Sequence, residues 1–309
     1  MRAMLVVNPT ATTTTERQRD VLIRALGSDL KVDLAETTNR GHAIELGAQA
    51  ADAGLDLVVV LGGDGTINEI VNGLLGEGPW RGPDDALPAL AVVPGGSTNV
   101  FSRSLGISRD PVVATSELLE ALRAGKSRRI GLGRLDERWF TFTAGIGVDA
   151  DAVRRVERAR SRGRPSTPSR YARAAARSLL SIDRRNPALT LERPGEEPVT
   201  GLFLGIAANT APWTYWGSKP LVLTSGASFD GGLDLVAMRK AGLPGTLWAV
   251  SGMLTAEGVR GRGVMCFTDL PEFRLHGDVA LPLQVDGDYI GEGSDVTFRS
   301  IPKAIRVIA

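Results

Sequence analysis

The chain has 309 residues, of which 43% are hydrophobic and 23% charged, and its formal net charge is only +1. This composition is that of a folded globular protein, and it excludes both a disordered chain and a strongly basic nucleic-acid-binding protein. No segment approaches eighteen consecutive apolar residues, and a single cysteine, Cys266, excludes an internal disulfide framework. We therefore expect a cytoplasmic protein without a membrane-spanning helix.

Strands and helices alternate in the first part of the chain. Short apolar runs predict strands, and apolar residues at helical spacing predict helices. In chain order the predicted elements are strand Ala3–Val7, helix Glu16–Leu26, strand Leu30–Leu34, helix Gly41–Ala53, strand Leu55–Leu61, a helix with the stripe Ile67–Leu75, strand Ala89–Val93 and a helix from Asp110 to about Ala124. This pattern predicts a doubly wound, Rossmann-like α/β domain over residues 1–128.

The pattern changes near Arg128, where short apolar runs separated by turn residues begin. The predicted strands are Arg128–Leu135, Trp139–Thr143, Leu189–Glu192, Leu202–Ala207, Leu221–Thr224, Leu233–Ala237, Phe273–Leu275, Leu283–Val285, Val296–Phe298 and Ile305–Ile308, with an inserted helix at Gly245–Ala256. Such a series indicates a mostly antiparallel β-sandwich domain over residues 129–309. Whether residues 296–309 return to the first domain is open at this level.

Two glycine-rich turns follow buried strands of the first domain. Gly62-Gly63-Asp64-Gly65-Thr66 leads into a helix, and Pro94–Asn99 follows the next strand. Glycines let backbone N–H groups approach an anion, and a helix N-terminus adds partial positive charge, so both turns are candidate phosphate sites. A tight turn without a ligand is the alternative interpretation of either one alone. No GxxxxGK[ST] motif occurs, which excludes a Walker-type ATPase.

The segment GGDGTINEIVNGL, Gly62 to Leu74, resembles the nucleotide-binding signature of the diacylglycerol kinase catalytic-domain family, which includes bacterial soluble lipid kinases and the sphingosine and ceramide kinases. GGDGT alone is shared with NAD kinases and 6-phosphofructokinases, whereas the extended GGDGTINE together with the late Asp-Gly-Asp element indicates the lipid-kinase branch. Further matching motifs occur in family order: Asn8-Pro9, Thr37–Ala43, PGGSTN at Pro94–Asn99, GIGVDA at Gly145–Ala150, Asp230-Gly231, and Val285–Asp288.

The resemblance implies a binding site for ATP and a structural Mg²⁺. The residues implied for the nucleotide are Asn8, Pro9, Thr37, Thr38, Gly62, Gly63, Asp64, Gly65, Thr66, Ile67, Asn68, Glu69, Gly96 and Ser97. The residues implied for Mg²⁺ are the carboxylate of Asp230 and the carbonyl groups of Ala227 and Gly232. Asp64, Asp286 and Asp288 are the implied catalytic carboxylates.

The sequence departs from the family pattern at two positions. The late motif is usually Asp-Gly-Glu, and here it is Asp286-Gly287-Asp288, so either aspartate is a candidate for the base that accepts the alcohol proton. PGGSTN is usually followed by Asp, and here Val100 follows, which removes a carboxylate beside the nucleotide.

A strongly basic segment extends from Arg154 to Arg185. It holds eleven arginines against two acidic residues, Glu157 and Asp183. Basic residues near an anionic bilayer contribute about 1 kcal/mol each to binding, so we expect peripheral contact with an anionic membrane surface and no nucleic-acid partner. The alternatives are a solvated charged insertion or a contact with nucleic acid. The family resemblance also implies a homodimer.

Taken together, the sequence predicts an ATP- and Mg²⁺-dependent lipid kinase that phosphorylates a lipid alcohol, with diacylglycerol as the expected acceptor and phosphatidic acid as the product. Two alternatives remain open. The acceptor could be a sphingoid base, a glycolipid, or a soluble molecule as in NAD kinases. Alternatively, because of Val100 and Asp288, the protein could be a non-catalytic nucleotide- or lipid-binding regulator.

Overall fold

The structure is a computed structural model that describes residues 1–28, 30–80, 82–84, 86–160, 177–178, 188–239 and 251–309. These residues form two compact units. Unit 1 comprises Met1–Leu132, Glu137–Trp139 and Pro302–Ala309, and unit 2 comprises Gly133–Asp136 and Phe140–Ile301. Within the described ranges, no helix combines the length and the apolar character that crossing a membrane requires.

Unit 1 contains the alternating strands and helices that the sequence predicts. They are β1 (Arg2–Val7), α1 (Glu16–Gly27), β2 (Lys31–Glu36), α2 (His42–Asp52), β3 (Leu57–Gly62), α3 (Asp64–Leu75), β4 (Ala89–Pro94), α4 (Val100–Ser104) and α5 (Pro111–Arg123). Local sequence explains where the helices begin: the Thr15 hydroxyl and the Gln18 side chain form a capping box at α1, and the Asp110 carboxylate caps α5. The predicted α/β character of this part of the chain is confirmed.

The sheet of unit 1 is parallel. Its strands lie in the order β2-β1-β3-β4. The last strand of the chain pairs with β4 at its end, where Val307 lies opposite Leu90. Leu22 and Leu26 of α1 and Leu118 of α5 pack on one face of this sheet. Every residue of β3 and β4 is buried, as expected for strands covered on both faces.

Helices α2 and α3 contact each other backbone to backbone, because a glycine lies at the crossing point on each. A Cβ atom on Gly73 would lie 2.1 Å from the carbonyl oxygen of Ile44 and 2.9 Å from Cα of Gly47. A Cβ atom on Gly47 would lie 2.7 Å from the carbonyl oxygen of Ile70. No side chain fits between the helices here, so this contact fixes the position of α3 against α2.

Unit 2 is mostly antiparallel, which confirms the second part of the predicted architecture. Two strands, β5 (Arg128–Leu135) and β6 (Arg138–Phe140), contribute to both units, and so does the last strand, whose residues from Pro302 onward belong to unit 1. The remaining elements are β7 (Thr143–Gly147), α6 (Val148–Arg160), β8 (Leu189–Glu192), β9 (Val199–Leu202), β10 (Leu204–Ala208), β11 (Thr214–Trp216), β12 (Lys219–Leu221), β13 (Leu233–Met238), β14 (Val264–Leu270), β15 (Glu272–Val285) and β16 (Asp288–Val307).

The main sheet of unit 2 has the strand order β14-β13-β10-β7-β15-β16, with antiparallel pairing from β14 to β16. Strands β8 and β9 extend from β15, and β11 and β12 form a separate hairpin. The core includes Phe273 and Phe298, whose rings stack with centroids 4.8 Å apart.

Three predicted elements of unit 2 need comment. The expected strand Trp139–Thr143 is interrupted between β6 and β7, because the backbone N–H groups of residues 141–143 donate to the carboxylate of Asp286. The expected strand Leu221–Thr224 is wrong beyond Leu221: its backbone bonds instead to an irregular segment, with Val222 N donating to Met253 O at 2.8 Å. Of the predicted helix Gly245–Ala256, residues 245–250 lie outside the described residues, and the described part ends its helical turn at Gly252.

The α2–α3 contact yields a test of stability. We expect Gly73→Ala to lower the free energy of unfolding by about 1–3 kcal/mol, because the added methyl overpacks a backbone contact. Gly27→Ala is the matched control, since no atom lies within 4 Å of its Cβ position. Urea unfolding of both variants measures the difference, and equal midpoints would contradict the proposed close packing.

Candidate functional site

The first cluster of predicted site residues lies at the carboxyl edge of the sheet in unit 1. The strand order places β1 and β3 side by side, and the chain leaves β1 for β2 on one side and β3 for β4 on the other. In open α/β sheets, ligands bind at such a reversal of strand order. The loops after these two strands begin at Asn8 and Gly63, which the sequence predicts as nucleotide-binding residues.

The two glycine turns contact each other directly at this edge. The amide of Gly95 donates to the carbonyl oxygen of Gly62 at 2.8 Å, and a Cβ atom on Gly96 would lie 2.7 Å from Cα of Gly63. The loop after β1 joins them, because Thr13 N donates to Gly95 O at 3.0 Å. Close backbone contact therefore leaves no space for a side chain at Gly95 and Gly96.

The N-terminus of α3 lies in the middle of this cluster. Its N-cap residue is Gly63, with extended backbone (φ −94°), and among the described residues no side chain caps the first turn. Residues Gly63, Asp64 and Gly65 are partly exposed, and the Thr66 hydroxyl accepts a hydrogen bond from Nδ2 of Asn8 at 2.9 Å. The first-turn N–H groups can therefore bind an anion.

Asp64 holds the second glycine turn in place. Its two carboxylate oxygens accept hydrogen bonds from the backbone amides of Val100 and Phe101, each at 3.0 Å. These amides form the start of α4, so the carboxylate binds a short helix N-terminus. The Val100 side chain is buried, and its contribution at this position is a backbone donor.

Glu69 does the same for the loop that carries Thr37 and Thr38. Its carboxylate accepts the amides of Gly41 at 2.9 Å and Ala43 at 3.3 Å, at the start of α2. Thr37 N bonds to Val7 O at 2.9 Å, which places the start of this loop beside the end of β1. The structure therefore brings the loops after all four strands β1 to β4 together.

Two residues predicted to bind the nucleotide, Ile67 and Asn68, have buried side chains, and two others, Pro9 and Ser97, are exposed. The side chain of Ile67 is buried, and Asn68 is buried with its Nδ2 donating to Trp139 O at 3.0 Å and its Oδ1 accepting from Arg138 at 2.9 Å. Both side chains support the packing of α3. Pro9 and Ser97 are exposed in the loops that follow β1 and β4.

A second cluster lies in unit 2 at the turn between β15 and β16. Asp286 and Gly287 have positive φ values of 49° and 81°, and Val285 pairs with Asp288, which are features of a type I′ hairpin. Both Asp286 oxygens are occupied: the carboxylate accepts bonds from Thr141 N at 2.7 Å, Thr141 Oγ1 at 2.9 Å, Phe142 N at 2.9 Å and Thr143 N at 3.0 Å. Burial raises the pKa of Asp286, and these hydrogen bonds oppose that rise.

Asp288 has a different environment from Asp286. It is partly exposed at the first position of β16, two residues beyond the buried carboxylate. The two acidic residues of one turn thus divide into a buried residue that holds the backbone and a residue that solvent can reach.

Two polar residues beside this turn were not assigned a role from the sequence. Gln284 is buried on β15, and its Nε2 donates to Oδ2 of Asp149 at 2.8 Å while its Oε1 accepts from Gly287 N at 3.0 Å. Burial raises the pKa of Asp149 to about 6, and the bond from Gln284 opposes the rise. Asp149 belongs to the GIGVDA motif, which was the available signal, whereas nothing in the sequence marks Gln284.

The predicted Mg²⁺ ligands lie on the loop before β13. Asp230 is exposed, and the Ala227 carbonyl also accepts the amide of Ala211 at 3.0 Å. Asp269 adds a carboxylate next to this loop, because its Oδ1 accepts Gly232 N at 2.6 Å. Oxygen ligands of this kind suit Mg²⁺. No group of three acidic, histidine or cysteine residues that could hold a metal occurs among the described residues, so a cation here would rely on carbonyl and water oxygens as well.

The chain is similar in sequence to one protein family and to several bacterial lipid kinases. The family described as "Diacylglycerol kinase catalytic domain" matches residues 2–135. A diacylglycerol kinase of Bacillus subtilis (strain 168) is 27% identical over 298 residues, covering 94% of this chain and 90% of that protein. A Chromohalobacter salexigens protein named a probable lipid kinase is 34% identical over 128 residues, covering 41% of this chain and 38% of that protein.

A solved structure confirms the fold. The crystal structure of a diacylglycerol kinase from Bacillus anthracis str. Sterne superposes with a TM-score of 0.71 at 18% identity, covering 99% of this chain and 96% of that chain. The matching region of the family includes the glycine turns, Asp64 and Glu69 described above. The predicted family is thereby confirmed for residues 2–135, which match the diacylglycerol kinase catalytic domain.

Proposed function

We propose that this protein is an ATP- and Mg²⁺-dependent lipid kinase that transfers the γ-phosphate of ATP to a lipid alcohol. Diacylglycerol is the acceptor we expect, with phosphatidic acid as the product. The observation that carries the proposal is the uncapped N-terminus of α3. The loops after β1 and β2 are hydrogen-bonded to this helix, and the loop after β4 contacts its N-cap residue, Gly63. Phosphoryl transfer needs positioning and charge stabilisation more than covalent chemistry, and this arrangement can supply the first.

The nucleotide phosphates would bind the first-turn amides of α3 and the Asn8 loop. Asp64 and Glu69 would act on ATP indirectly, as positioning residues, because their carboxylates hold the α4 and α2 N-termini. Asp230, with the carbonyl groups of Ala227 and Gly232, would hold Mg²⁺, which neutralises phosphate charge when bound.

Asp288 is our candidate for the base that takes the proton of the acceptor hydroxyl. It is partly exposed, whereas both oxygens of Asp286 are occupied by hydrogen bonds from residues 141–143. A carboxylate within hydrogen-bond reach of a hydroxyl can accept its proton as the phosphoryl group arrives. Asp286 then serves to hold the turn that carries Asp288.

Transfer of labelled γ-phosphate from ATP to a lipid extract tests the function directly. We expect a lipid product, and diacylglycerol added as acceptor should increase its yield. A labelled soluble product would indicate a different acceptor. No transfer by folded protein with Mg²⁺ would favour the alternative of a non-catalytic binding protein, which Val100 and Asp288 suggest.

For the nucleotide site, we expect Gly63→Val to reduce ATP affinity at least about tenfold. The reason is steric, since a Cβ atom at Gly63 already approaches Cα of Gly96 to 3.3 Å, and an isopropyl group would fill the anion-binding turn. Isothermal titration with ATP measures the loss. Gly27→Ala is the control and should bind ATP normally, and normal ATP affinity of folded Gly63→Val would refute the assignment.

For the acidic turn, we expect Asp288→Asn to lower kcat about 100-fold or more without loss of stability, because the base is removed. Asp286→Asn should instead lower the free energy of unfolding by about 2 kcal/mol, since an amide cannot accept all four hydrogen bonds. Steady-state kinetics and urea unfolding of both variants separate the roles. Asp288→Glu should retain activity, and near-normal kcat in Asp288→Asn would exclude Asp288 as the base.

Contact with a lipid surface is part of the proposal, and the β11–β12 hairpin supports it. Trp216 is 51% exposed beside the exposed Lys219. Trp213 at its base is fixed by packing and by donation of its Nε1 to Thr143 Oγ1 at 3.2 Å. An exposed tryptophan next to a cation suits the boundary between water and lipid.

The basic segment Arg154–Arg185 lies largely outside the described residues. Of its described members, Arg154 and Arg155 pair with Asp151, and Arg154 also pairs with Glu292 at 2.7 Å. Charge at these two positions is therefore compensated within unit 2. Any attraction to anionic lipid by this segment rests on its other arginines.

We propose a cytoplasmic protein that contacts the membrane peripherally.

For membrane contact, we expect Trp216→Ala to weaken binding to phosphatidylglycerol–phosphatidylcholine vesicles several-fold, because an exposed aromatic side chain that would enter the lipid boundary is lost. Vesicle co-sedimentation measures this at low and high salt, and the arginine contribution should fall as salt rises. Val112→Ala is the control, since Val112 is an exposed apolar residue of unit 1. Identical binding by wild type and Trp216→Ala would contradict the contribution of the hairpin.

A further inference from the structure

The side chain of Gln284 connects two motifs that lie far apart in the sequence. It is 1% exposed, and both ends of its amide are used: Oε1 accepts from Gly287 N at 3.0 Å, and Nε2 donates to Oδ2 of Asp149 at 2.8 Å. A backbone amide can only donate, so the oxygen of Gln284 must face Gly287 and its nitrogen must face Asp149. The orientation of the amide is therefore determined by its partners.

The neighbouring glycine makes room for this pair. A Cβ atom on Gly145 would lie 2.8 Å from Oδ2 of Asp149 and 3.1 Å from Nε2 of Gln284. Any side chain at position 145 would thus displace the hydrogen bond between them. The first glycine and the aspartate of the GIGVDA motif consequently serve one contact with β15.

Both residues of the two-residue turn between β15 and β16, Asp286 and Gly287, are held by hydrogen bonds. Asp286 is held by residues 141–143, and Gly287 is held by Gln284. Asp288 follows immediately, so the direction of its carboxylate depends on both attachments. From this geometry, and resting on the proposed function, we infer that Gln284 is a positioning residue that fixes the Asp288 turn relative to the carboxylate of Asp149.

The surroundings of Asp149 make this connection sensitive to protonation. Strands β7 and β10, which pack against α6, carry no ionisable side chain. On α6 itself, Asp151 is paired with Arg154 and Arg155, and the arginines and Glu157 lie toward its C-terminal end. The ionisable residues of β15 lie at its far end; they are Glu272, Arg274, His276 and Asp278. Beyond the turn, Asp286 faces residues 141–143, and Glu292 on β16 pairs with Arg154.

Protonation of Asp149 would act on the turn through the amide. A protonated Asp149 accepts a hydrogen bond more weakly than the carboxylate does, so the bond from Nε2 that orients the Gln284 amide toward Gly287 would weaken. Burial raises the pKa of Asp149 to about 6, and the Gln284 donor opposes the rise. Turnover should therefore fall as pH drops through about 6, and loss of the donor should raise this pKa further.

Two substitutions separate the two hydrogen bonds. Gln284→Met keeps the length of the side chain and removes both bonds. Gln284→Glu keeps an acceptor for Gly287 and can share one proton with Asp149, so it preserves the geometry while raising the pKa of the pair. Gln49→Met, at an exposed position of α2, is the control.

The first readout is independent of activity. A carboxyl ¹³C NMR titration, with the Asp149 signal assigned by its loss in Asp149→Asn, should show about a tenfold weaker acid in Gln284→Met, corresponding to one hydrogen bond of about 1.4 kcal/mol. The titration should be unchanged in Gln49→Met. An unchanged Asp149 titration in both folded Gln284 variants would overturn the inference.

The second readout is kinetic. We expect Gln284→Met to lower kcat about tenfold or more with KM for ATP unchanged, and Gln284→Glu to retain more turnover with its acid limb at higher pH. Wild-type kcat and an unmoved pH profile in folded Gln284→Met would overturn the positioning role even if the NMR titration moves. A wild-type protein without any phosphoryl transfer would refute the proposed function instead, and the NMR comparison would then still decide whether the contact fixes Asp149.

Discussion

Close contact between two glycine turns is the constraint on which the candidate nucleotide site depends. A Cβ atom on Gly96 would lie 2.7 Å from Cα of Gly63, and one on Gly95 would lie 3.0 Å from the amide nitrogen of Gly62, so neither position of the second turn has space for a side chain. Because the turns touch through their backbones, the N-terminus of α3 stays open toward the edge of the sheet. The close contact of Gly47 on α2 with Gly73 on α3 also constrains this site, because it sets the position of α3, the helix that begins at this edge of the sheet. Backbone proximity, more than any single polar side chain, thus determines the geometry.

Acidic side chains complete the arrangement by binding backbone amides. Asp64 binds the start of α4, Glu69 binds the start of α2, and Asp286 binds residues 141–143. Hydrogen bonds to an ionised acceptor are among the stronger ones in proteins, and each of these joins segments that are distant in sequence. In each case the observed contribution of the carboxylate is to position a loop through its backbone amides.

In unit 2, the same principle distinguishes two aspartates of one turn. Asp286 is buried and accepts four hydrogen bonds from residues 141–143, whereas Asp288 is partly exposed. Gln284 then adds a neutral contact between this turn and Asp149. A neutral amide suits that place because it offers a donor to one partner and an acceptor to the other without adding a buried charge.

The sequence by itself determined the alternation of strands and helices in unit 1, the antiparallel character of unit 2, the family, and the motifs that meet at the edge of the sheet. These features depend on local patterns: apolar periodicity, helix caps such as Thr15 and Asp110, and glycine turns after buried strands. Only the tertiary structure decided which side chain of a motif faces inward, as for Asn68, and which aspartate of the Asp-Gly-Asp turn is buried. The interruption of the strand at residues 141–142 and the role of Gln284 were likewise invisible, because each depends on a partner more than 130 residues away. A contact of that kind leaves no periodic or local signal, since the chain must fold before the two groups are neighbours.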